Sequence, residues 1–204
     1  MKLLKGFVSV LLIAGALAFS GASEPRAEVV EYVIDPAHSQ VIFKVKHMGI
    51  STVTGRFDEF EGSYAFDEEN PGDSKVDAVI TTSSIDTNED DRDDHLKSPD
   101  FLDVEKNPTI TFKSKEVKKG EGKEFTIVGD LTINGVTKEV ELDAEYGGSA
   151  TDPRGNERTA FTAETTIDRK DYGITWNKTL DAGGLVVGND VKIILEVEGI
   201  KKKS

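Results

Sequence analysis

The sequence contains no cysteine among its 204 residues. This absence excludes a disulfide framework, a thiol nucleophile and a lipid-modified cysteine anchor, so an ordinary hydrophobic core must stabilise the fold. Histidine is scarce too, and the spacing of His38, His47 and His95 matches no standard metal motif. Gly-x-Ser-x-Gly elbows, phosphate-binding loops and dinucleotide-binding glycine motifs are also missing. We therefore expect no catalytic residue, no metal site and no cofactor.

Long apolar runs are equally scarce, and the one that is present lies at the N-terminus. Two lysines precede an apolar stretch over residues 7–19, and small residues follow it. This arrangement is typical of a secretory signal peptide, since a transmembrane helix needs about 20 apolar residues. We predict a signal peptide over residues 1–22 with cleavage near Ala22, a single mature domain over residues 23–204, and a periplasmic or secreted location. An uncleaved membrane anchor is the alternative.

Basic residues are outnumbered by acidic ones, which gives the chain a formal net charge of −13. Nucleic acids and anionic membrane surfaces repel a strongly acidic protein. The acidic residues alternate with apolar ones instead of forming one block, so we interpret the charge as a solubility feature. Nucleic acid is therefore excluded as a partner, while a transient membrane contact and a homodimer stay open.

Alternation of apolar and polar residues with a period of two dominates the mature region, and no long window shows helical periodicity. The pattern predicts an all-β chain with one short helix over residues 89–98, ended by Pro99. The predicted strands cover residues 31–34, 41–46, 53–66, 75–85, 109–117, 125–133, 136–146, 158–167 and 185–199.

Local signals refine this strand pattern. Asn134-Gly135 between two alternating runs predicts a type I′ hairpin. The alternation changes phase within residues 53–66, which predicts a β-bulge near Asp58-Glu59. Regularly spaced strands joined by turns suit either a sandwich or a closed up-and-down barrel. Glycines inside the strands, at positions 55, 62, 129 and 188, favour the barrel because glycine kinks introduce curvature.

Two polar segments contain candidate ligand contacts. Arg92 and His95 lie in a charged segment followed by apolar residues, and Arg169 and Tyr172 lie in the segment Ile-Asp-Arg-Lys-Asp-Tyr-Gly. Each segment is either a charged structural turn or a contact for the polar head of a ligand. Trp176 either covers an opening of the barrel or fills its core.

Six groups of short motifs follow one another along the mature chain. They are Asp35-Pro36-Ala37-His38-Ser39 leading into Phe43, His47-Met48-Gly49-Ile50-Ser51 with Gly55-Arg56-Phe57, Arg92–Ser98 with Asp100–Asp103, Pro108–Phe112, Gly129–Thr137, and Ile167–Arg169 with Tyr172-Gly173. Together and in this order they resemble the YceI-like family of polyisoprenoid-binding periplasmic proteins. The resemblance covers essentially the whole mature chain.

The resemblance implies an all-β fold: an eight-stranded antiparallel up-and-down barrel of the lipocalin type with one or two short helices. It implies that the barrel interior holds a polyisoprenoid lipid, such as a polyprenyl quinone or a polyprenyl phosphate, and that the protein binds, transports or stores this lipid without catalysis. The alternative is a stress-response module that binds other proteins and whose barrel is filled.

Strand alternation and the resemblance together predict the residues that contact the lipid. The isoprenoid tail alone can supply the binding affinity. At about 0.3 kcal/mol per heavy atom, each isoprene unit contributes about 1.5 kcal/mol, so about five or six units reach micromolar affinity. The polar head would then lie at the mouth of the barrel, beside His38, Arg92, His95 and Arg169. The predicted wall consists of Phe43, Val45, Val53, Phe57, Ile110, Phe112, Phe125, Ile127, Leu131 and Phe161.

Overall fold

The computed structural model describes residues 29–67, 70–180 and 183–203, so the predicted signal peptide lies outside the described residues. The described part contains eleven strands and one α-helix, α1 (Asp90–Lys97). The strands are β1 (Val30–Ile34), β2 (Gln40–His47), β3 (Ser51–Phe57), β4 (Phe60–Phe66), β5 (Lys75–Thr81), β6 (Ile85–Asp86), β7 (Thr109–Lys119), β8 (Glu124–Ile133), β9 (Val136–Thr151), β10 (Glu157–Asp168) and β11 (Val187–Lys201).

These strands form a closed, eight-stranded antiparallel barrel, which confirms the predicted fold class. β1 continues into β2, β3 into β4, and β5 into β6 across short interruptions, so each pair acts as one long bent strand. Every long strand pairs with the next one along the chain, and β11 pairs back with β1 and β2. The connectivity is therefore up-and-down, and closure leaves no long strand with an unpaired edge.

The interruption between β3 and β4 falls at Asp58 and Glu59, where the sequence predicts a bulge. The neighbouring strand is interrupted at the same level by a 3-10 turn over Thr82–Ser84. The backbone carbonyl of Ser84 accepts a hydrogen bond from the Asp58 N–H (3.1 Å), and the Ser84 hydroxyl accepts one from the Glu59 N–H (3.0 Å). Both strands therefore bend together, which changes the phase of the alternation within one continuous wall.

The Asn134-Gly135 turn joins β8 to β9 with φ angles of 51° and 72°, as a type I′ turn requires. The Asn134 side chain accepts a hydrogen bond from Asn107 (2.7 Å) and donates one to the Tyr172 carbonyl (3.2 Å). These bonds tie the turn to the segment that follows α1 and to the 3-10 turn over Arg169–Tyr172. We call this end of the barrel, where α1 also lies, the α1 end.

Helix α1 matches the predicted helix to within one residue at each end. The Glu89 carboxylate caps it by accepting a hydrogen bond from the Arg92 N–H (2.7 Å), and the first turn contains three aspartates, which suit the positive end of the helix dipole. The helix ends at Lys97, with Ser98 as its C-cap immediately before Pro99. Across the part of the chain that the structure describes, no helix is long and apolar enough to cross a membrane.

Glycine within the strands has a more specific role than the predicted curvature. A Cβ atom placed on Gly129 in β8 would lie 2.5 Å from the Phe112 ring of β7 and 2.7 Å from the Lys113 carbonyl oxygen. Only glycine leaves room for this ring. The glycine therefore allows an aromatic side chain of the neighbouring strand to lie flat along the inner wall.

Candidate functional site

An apolar cavity of about 280 Å³ lies inside the barrel. Its lining extends from Phe101 and Leu102 at the α1 end to Phe66 and Phe125 at the opposite end. The volume is close to the lower limit for small-molecule pockets, and the lining is almost wholly hydrocarbon. The interior is therefore not completely filled, and its length suits a chain-like apolar molecule better than a compact polar one.

The structure places nine of the predicted wall residues around this cavity, and Val53 is not among its lining residues. That the nine contact a ligand stays a prediction. They are Phe43, Val45, Phe57, Ile110, Phe112, Phe125, Ile127, Leu131 and Phe161.

Aromatic side chains surround the cavity at the end opposite α1. The Phe66 ring lies 4.8 Å from the Phe161 ring and 5.7 Å from the Phe125 ring, both edge to face. Tyr64 packs on Phe161 at 5.4 Å, and its hydroxyl is satisfied by Thr159. Phe66 and Tyr64 line the cavity but are absent from the predicted wall. The phase change at the β3–β4 bend is the sequence signal that could have assigned them.

At the α1 end the barrel is closed by α1 and the segment that follows it. Phe101 and Leu102 are each 8% exposed and pack against Tyr172 and Ile174. The Trp176 ring lies 5.1 Å from the Phe101 ring, partly buried on the same cluster. Trp176 therefore extends the core at this closure.

His95 and Arg92 belong to α1 and do not line the cavity. The His95 ring packs edge-on against Trp176 at 4.8 Å, and its Nε2 lies 2.9 Å from an Asp100 carboxylate oxygen. The Arg92 guanidinium donates to the Thr87 hydroxyl (2.7 Å) and to the Thr87 carbonyl (2.8 Å). Both side chains therefore stabilise the closed α1 end of the barrel. Of the two alternatives for the charged segment, this arrangement corresponds to a structural turn and not to a contact for a ligand head.

His38 lies in a different place, next to a polar network near the start of β10. Arg158 donates to Asp35 (2.7 Å), Asp152 (3.0 Å) and Glu198 (2.5 Å), and His38 Nδ1 lies 2.9 Å from Asp35. The Arg158 hydrogen bond, followed by that of His38, lowers the pKa of Asp35 to about 2. Asp35, His38 and Glu198 are close enough together to hold a cation, but the Arg158 guanidinium already supplies positive charge to both carboxylates. The network is therefore a structural connection between β1, β10 and β11.

Arg169 is the one predicted head contact that lines the cavity. Arg158 and Arg169 are separated by nearly the whole of β10, about 36 Å along the strand at 3.3 Å per residue, so His38 and Arg169 lie toward opposite ends of the barrel. The prediction of one mouth formed by His38, Arg92, His95 and Arg169 does not match this arrangement. Sequence alternation assigns a side chain to a face of a strand but does not show how far along the barrel it lies.

Arg169 is 4% exposed and held at the α1 end by two backbone carbonyls. Its Nε donates to Gly188 (2.9 Å) and its Nη1 to Ile174 (2.7 Å). Burial lowers the pKa of this guanidinium from its ordinary value, although an arginine stays charged in proteins. Tyr172, 2% exposed, lines the cavity beside it, and burial raises the pKa of its hydroxyl to about 12. The two residues place polar hydrogen-bond donors at one end of an apolar cavity.

Known proteins share both the sequence pattern and the barrel. A family model described as YceI-like domain matches residues 32–199. A UPF0312 protein of Pectobacterium atrosepticum is 46% identical over 184 residues, covering 89% of this chain and 92% of that protein. The solved YCEI protein of Campylobacter jejuni is 33% identical with a TM-score of 0.65, over 78% of this chain and 91% of that one.

A more distant neighbour shares the fold alone. The structure of a polyisoprenoid binding domain from Saccharophagus degradans has a TM-score of 0.64 at 15% identity, covering 86% of this chain and 100% of that one. The family model spans nearly the whole described barrel, and the Pectobacterium relative matches over most of both chains. The chain therefore belongs to the YceI-like family.

Proposed function

We propose that this protein binds a polyisoprenoid lipid, a polyprenyl quinone or polyprenyl phosphate, inside its barrel and carries or stores it without chemical conversion. In this proposal the protein acts in the periplasm or outside the cell, after removal of its signal peptide. The observation that carries the proposal is the apolar cavity that extends between the two ends of the barrel. The polyisoprenoid binding domain of Saccharophagus degradans, which has the same fold, supports this class of ligand.

The chemistry of the cavity wall supports binding without catalysis. Glu61 is the one carboxylate among the lining residues, and no histidine lines the cavity in the described part of the chain. A paired acid and base, or a nucleophile beside a base, is the usual requirement for hydrolytic or transfer chemistry. The cavity also argues against the alternative of an interaction module with a filled barrel.

The β2–β3 hairpin is the candidate for a transient membrane contact. Ile50 at its tip is 80% exposed, and Met48 beside it is 39% exposed. The Met48 N–H donates to the Val186 carbonyl (2.8 Å), which brings Leu185, 40% exposed, next to the tip. Because the net charge of −13 opposes adsorption to an anionic surface, this contact would rest on apolar insertion and be short-lived.

A chain-length series tests the proposed function. Delipidated mature protein is titrated with polyprenyl quinones of two to eight isoprene units, and the melting temperature is recorded. Each added unit should tighten binding about tenfold until the cavity is full, since it contributes about 1.5 kcal/mol. A ligand at about 100 times its Kd should add about 2.7 kcal/mol of stability, or about 5–10 °C in Tm. No shift for any chain length would contradict the proposal.

A further inference from the structure

Two buried hydrogen-bond donors at the α1 end have no partner within the described residues. They are the Nη2 of Arg169 and the hydroxyl of Tyr172, and both residues line the cavity. A polar group that is buried without a partner destabilises the folded protein, so nearly all such groups in native proteins are satisfied. Both atoms are buried, and both residues belong to the cavity wall, so an oxygen acceptor bound at the α1 end of the cavity is the partner that would satisfy them.

Local structure fixes the backbone that carries both donors, and it holds the Arg169 guanidinium in place. The Asp168 carboxylate accepts a hydrogen bond from the Lys170 N–H (2.8 Å) and so caps the 3-10 turn that contains Arg169 and Tyr172. Gly173, with φ at 75°, ends this turn. The two carbonyls hold Nε and Nη1 of Arg169, and Nη2 is the guanidinium nitrogen that has no partner in the described residues. The guanidinium is thus held at two of its nitrogens while the third stays unpartnered.

The same feature does not occur elsewhere around the cavity in the described residues. The hydroxyl of Thr82 and the side-chain oxygen of Asn189 are also buried without partners, but neither residue lines the cavity. The Tyr64 hydroxyl, at the opposite end, is already bonded to Thr159 (2.6 Å). Among the described residues, the cavity-lining side chains that have a buried donor without a partner are therefore confined to the α1 end.

We propose that Arg169 Nη2 and the Tyr172 hydroxyl bind the oxygen-bearing head group of the lipid, so that the head lies at the α1 end and the isoprenoid tail extends toward Phe66 and Phe161. This inference rests on the proposed function. The recognised chemistry is an oxygen acceptor, either a phosphate oxygen or a quinone carbonyl. The guanidinium forms only hydrogen bonds to neutral carbonyls in the described structure, so a phosphate gains an additional charge interaction there.

The test compares oxygen-bearing and oxygen-free ligands of equal chain length. The affinities of a polyprenyl phosphate, a polyprenyl quinone and an isoprenoid hydrocarbon are measured on wild type and Tyr172→Phe. The substitution should weaken both oxygen-bearing ligands by up to about tenfold and leave the hydrocarbon unchanged, because one hydrogen bond is lost. Without ligand, Tyr172→Phe should be at least as stable as wild type, since the deleted hydroxyl has no partner in the described residues.

Tyr64→Phe is the matched control, because it removes a hydroxyl from the same cavity at the opposite end. It should lower stability and leave the preference for oxygen-bearing ligands intact. Arg169→Gln then separates the two head groups, since loss of the charge should weaken the phosphate more than the quinone. If Arg169→Gln does not fold, the comparison of Tyr172→Phe with Tyr64→Phe still tests whether the head group binds at the α1 end.

Three results would overturn the inference. The first is an equal affinity of wild type for the hydrocarbon and for both oxygen-bearing ligands. The second is an unchanged preference in Tyr172→Phe. The third is a loss of preference in Tyr64→Phe as large as that in Tyr172→Phe. Failure of wild type to bind any of the three ligands would instead refute the proposed function itself.

Discussion

Phe112 gives the strongest single test of the inner wall. Its ring lies on Gly129 and lines the cavity, whereas the next residue of β7, Lys113, points outward and pairs loosely with Asp77 at 3.7 Å. Replacing a core phenylalanine by a small residue costs about 3–5 kcal/mol, and the lower value applies here because Phe112 is only partly buried and already borders a cavity. Phe112→Asp adds the cost of a carboxylate among hydrocarbon, about 1–3 kcal/mol.

The expected total for Phe112→Asp is therefore about 4–6 kcal/mol, a large share of the ordinary stability of a domain. Urea unfolding of Phe112→Asp and of Lys113→Asp at pH 7 measures the difference. The control should lose only about 1–2 kcal/mol, because it removes an exposed ion pair and places a carboxylate opposite Asp77 and Asp130 on the two neighbouring strands. Burial should raise the pKa of the new carboxyl at position 112, so its destabilisation should be largest at pH 7 and smaller near pH 4. Equal losses in the two variants would refute the assignment of Phe112 to the inner wall.

Two further predictions concern the polar network and the hairpin tip. The pKa of Asp35 falls from 3.8 to about 2 on folding, so its pairing with Arg158 stabilises the fold above about pH 4, and this stabilisation is lost as pH falls toward 2. Between pH 4 and pH 2, the free energy of unfolding of Asp35→Asn should therefore fall less than that of wild type, by at most about 2 kcal/mol. Equal falls in the two proteins, measured by urea unfolding at each pH, would rule out this linkage. Ile50→Asp should slow lipid uptake from vesicles several-fold without changing the affinity for lipid in detergent. The control Ser63→Asp, at an exposed position of β4, should change neither the uptake rate nor the affinity. Equal uptake rates of wild type and Ile50→Asp would exclude the hairpin tip as the membrane contact.

The sequence predicts most of the fold because alternation and turn chemistry are local properties. Asn134-Gly135 determines its own hairpin, and the charged stretch that ends before Pro99 bounds α1 to within one residue at each end. The bend between β3 and β4 is visible as a phase change, but the paired turn at Thr82–Ser84 that accommodates it is not. Its position depends on pairing between strands that are distant in sequence.

The candidate site is predictable only in part. Period-two parity places Phe43, Phe112 and Phe161 on the inner face without any knowledge of tertiary structure. The polar contacts cannot be obtained in this way, because Arg92 and Arg169 look equivalent in the sequence. Arg92 bonds to Thr87 outside the cavity, whereas Arg169 lines the cavity and keeps one nitrogen without a partner in the described residues. What separates them is the set of backbone carbonyls that surrounds each guanidinium, and only the folded chain defines it.

Native mass spectrometry of the mature protein, purified from bacterial periplasm without detergent, shows directly whether the barrel binds an isoprenoid lipid. We expect a bound species of defined mass that matches an isoprenoid lipid and is released by organic extraction. We also expect the extracted protein to take up added polyprenyl quinone in a one-to-one ratio. Repeated preparations that show the mass of the protein alone, and that take up no quinone, would refute the proposed lipid binding.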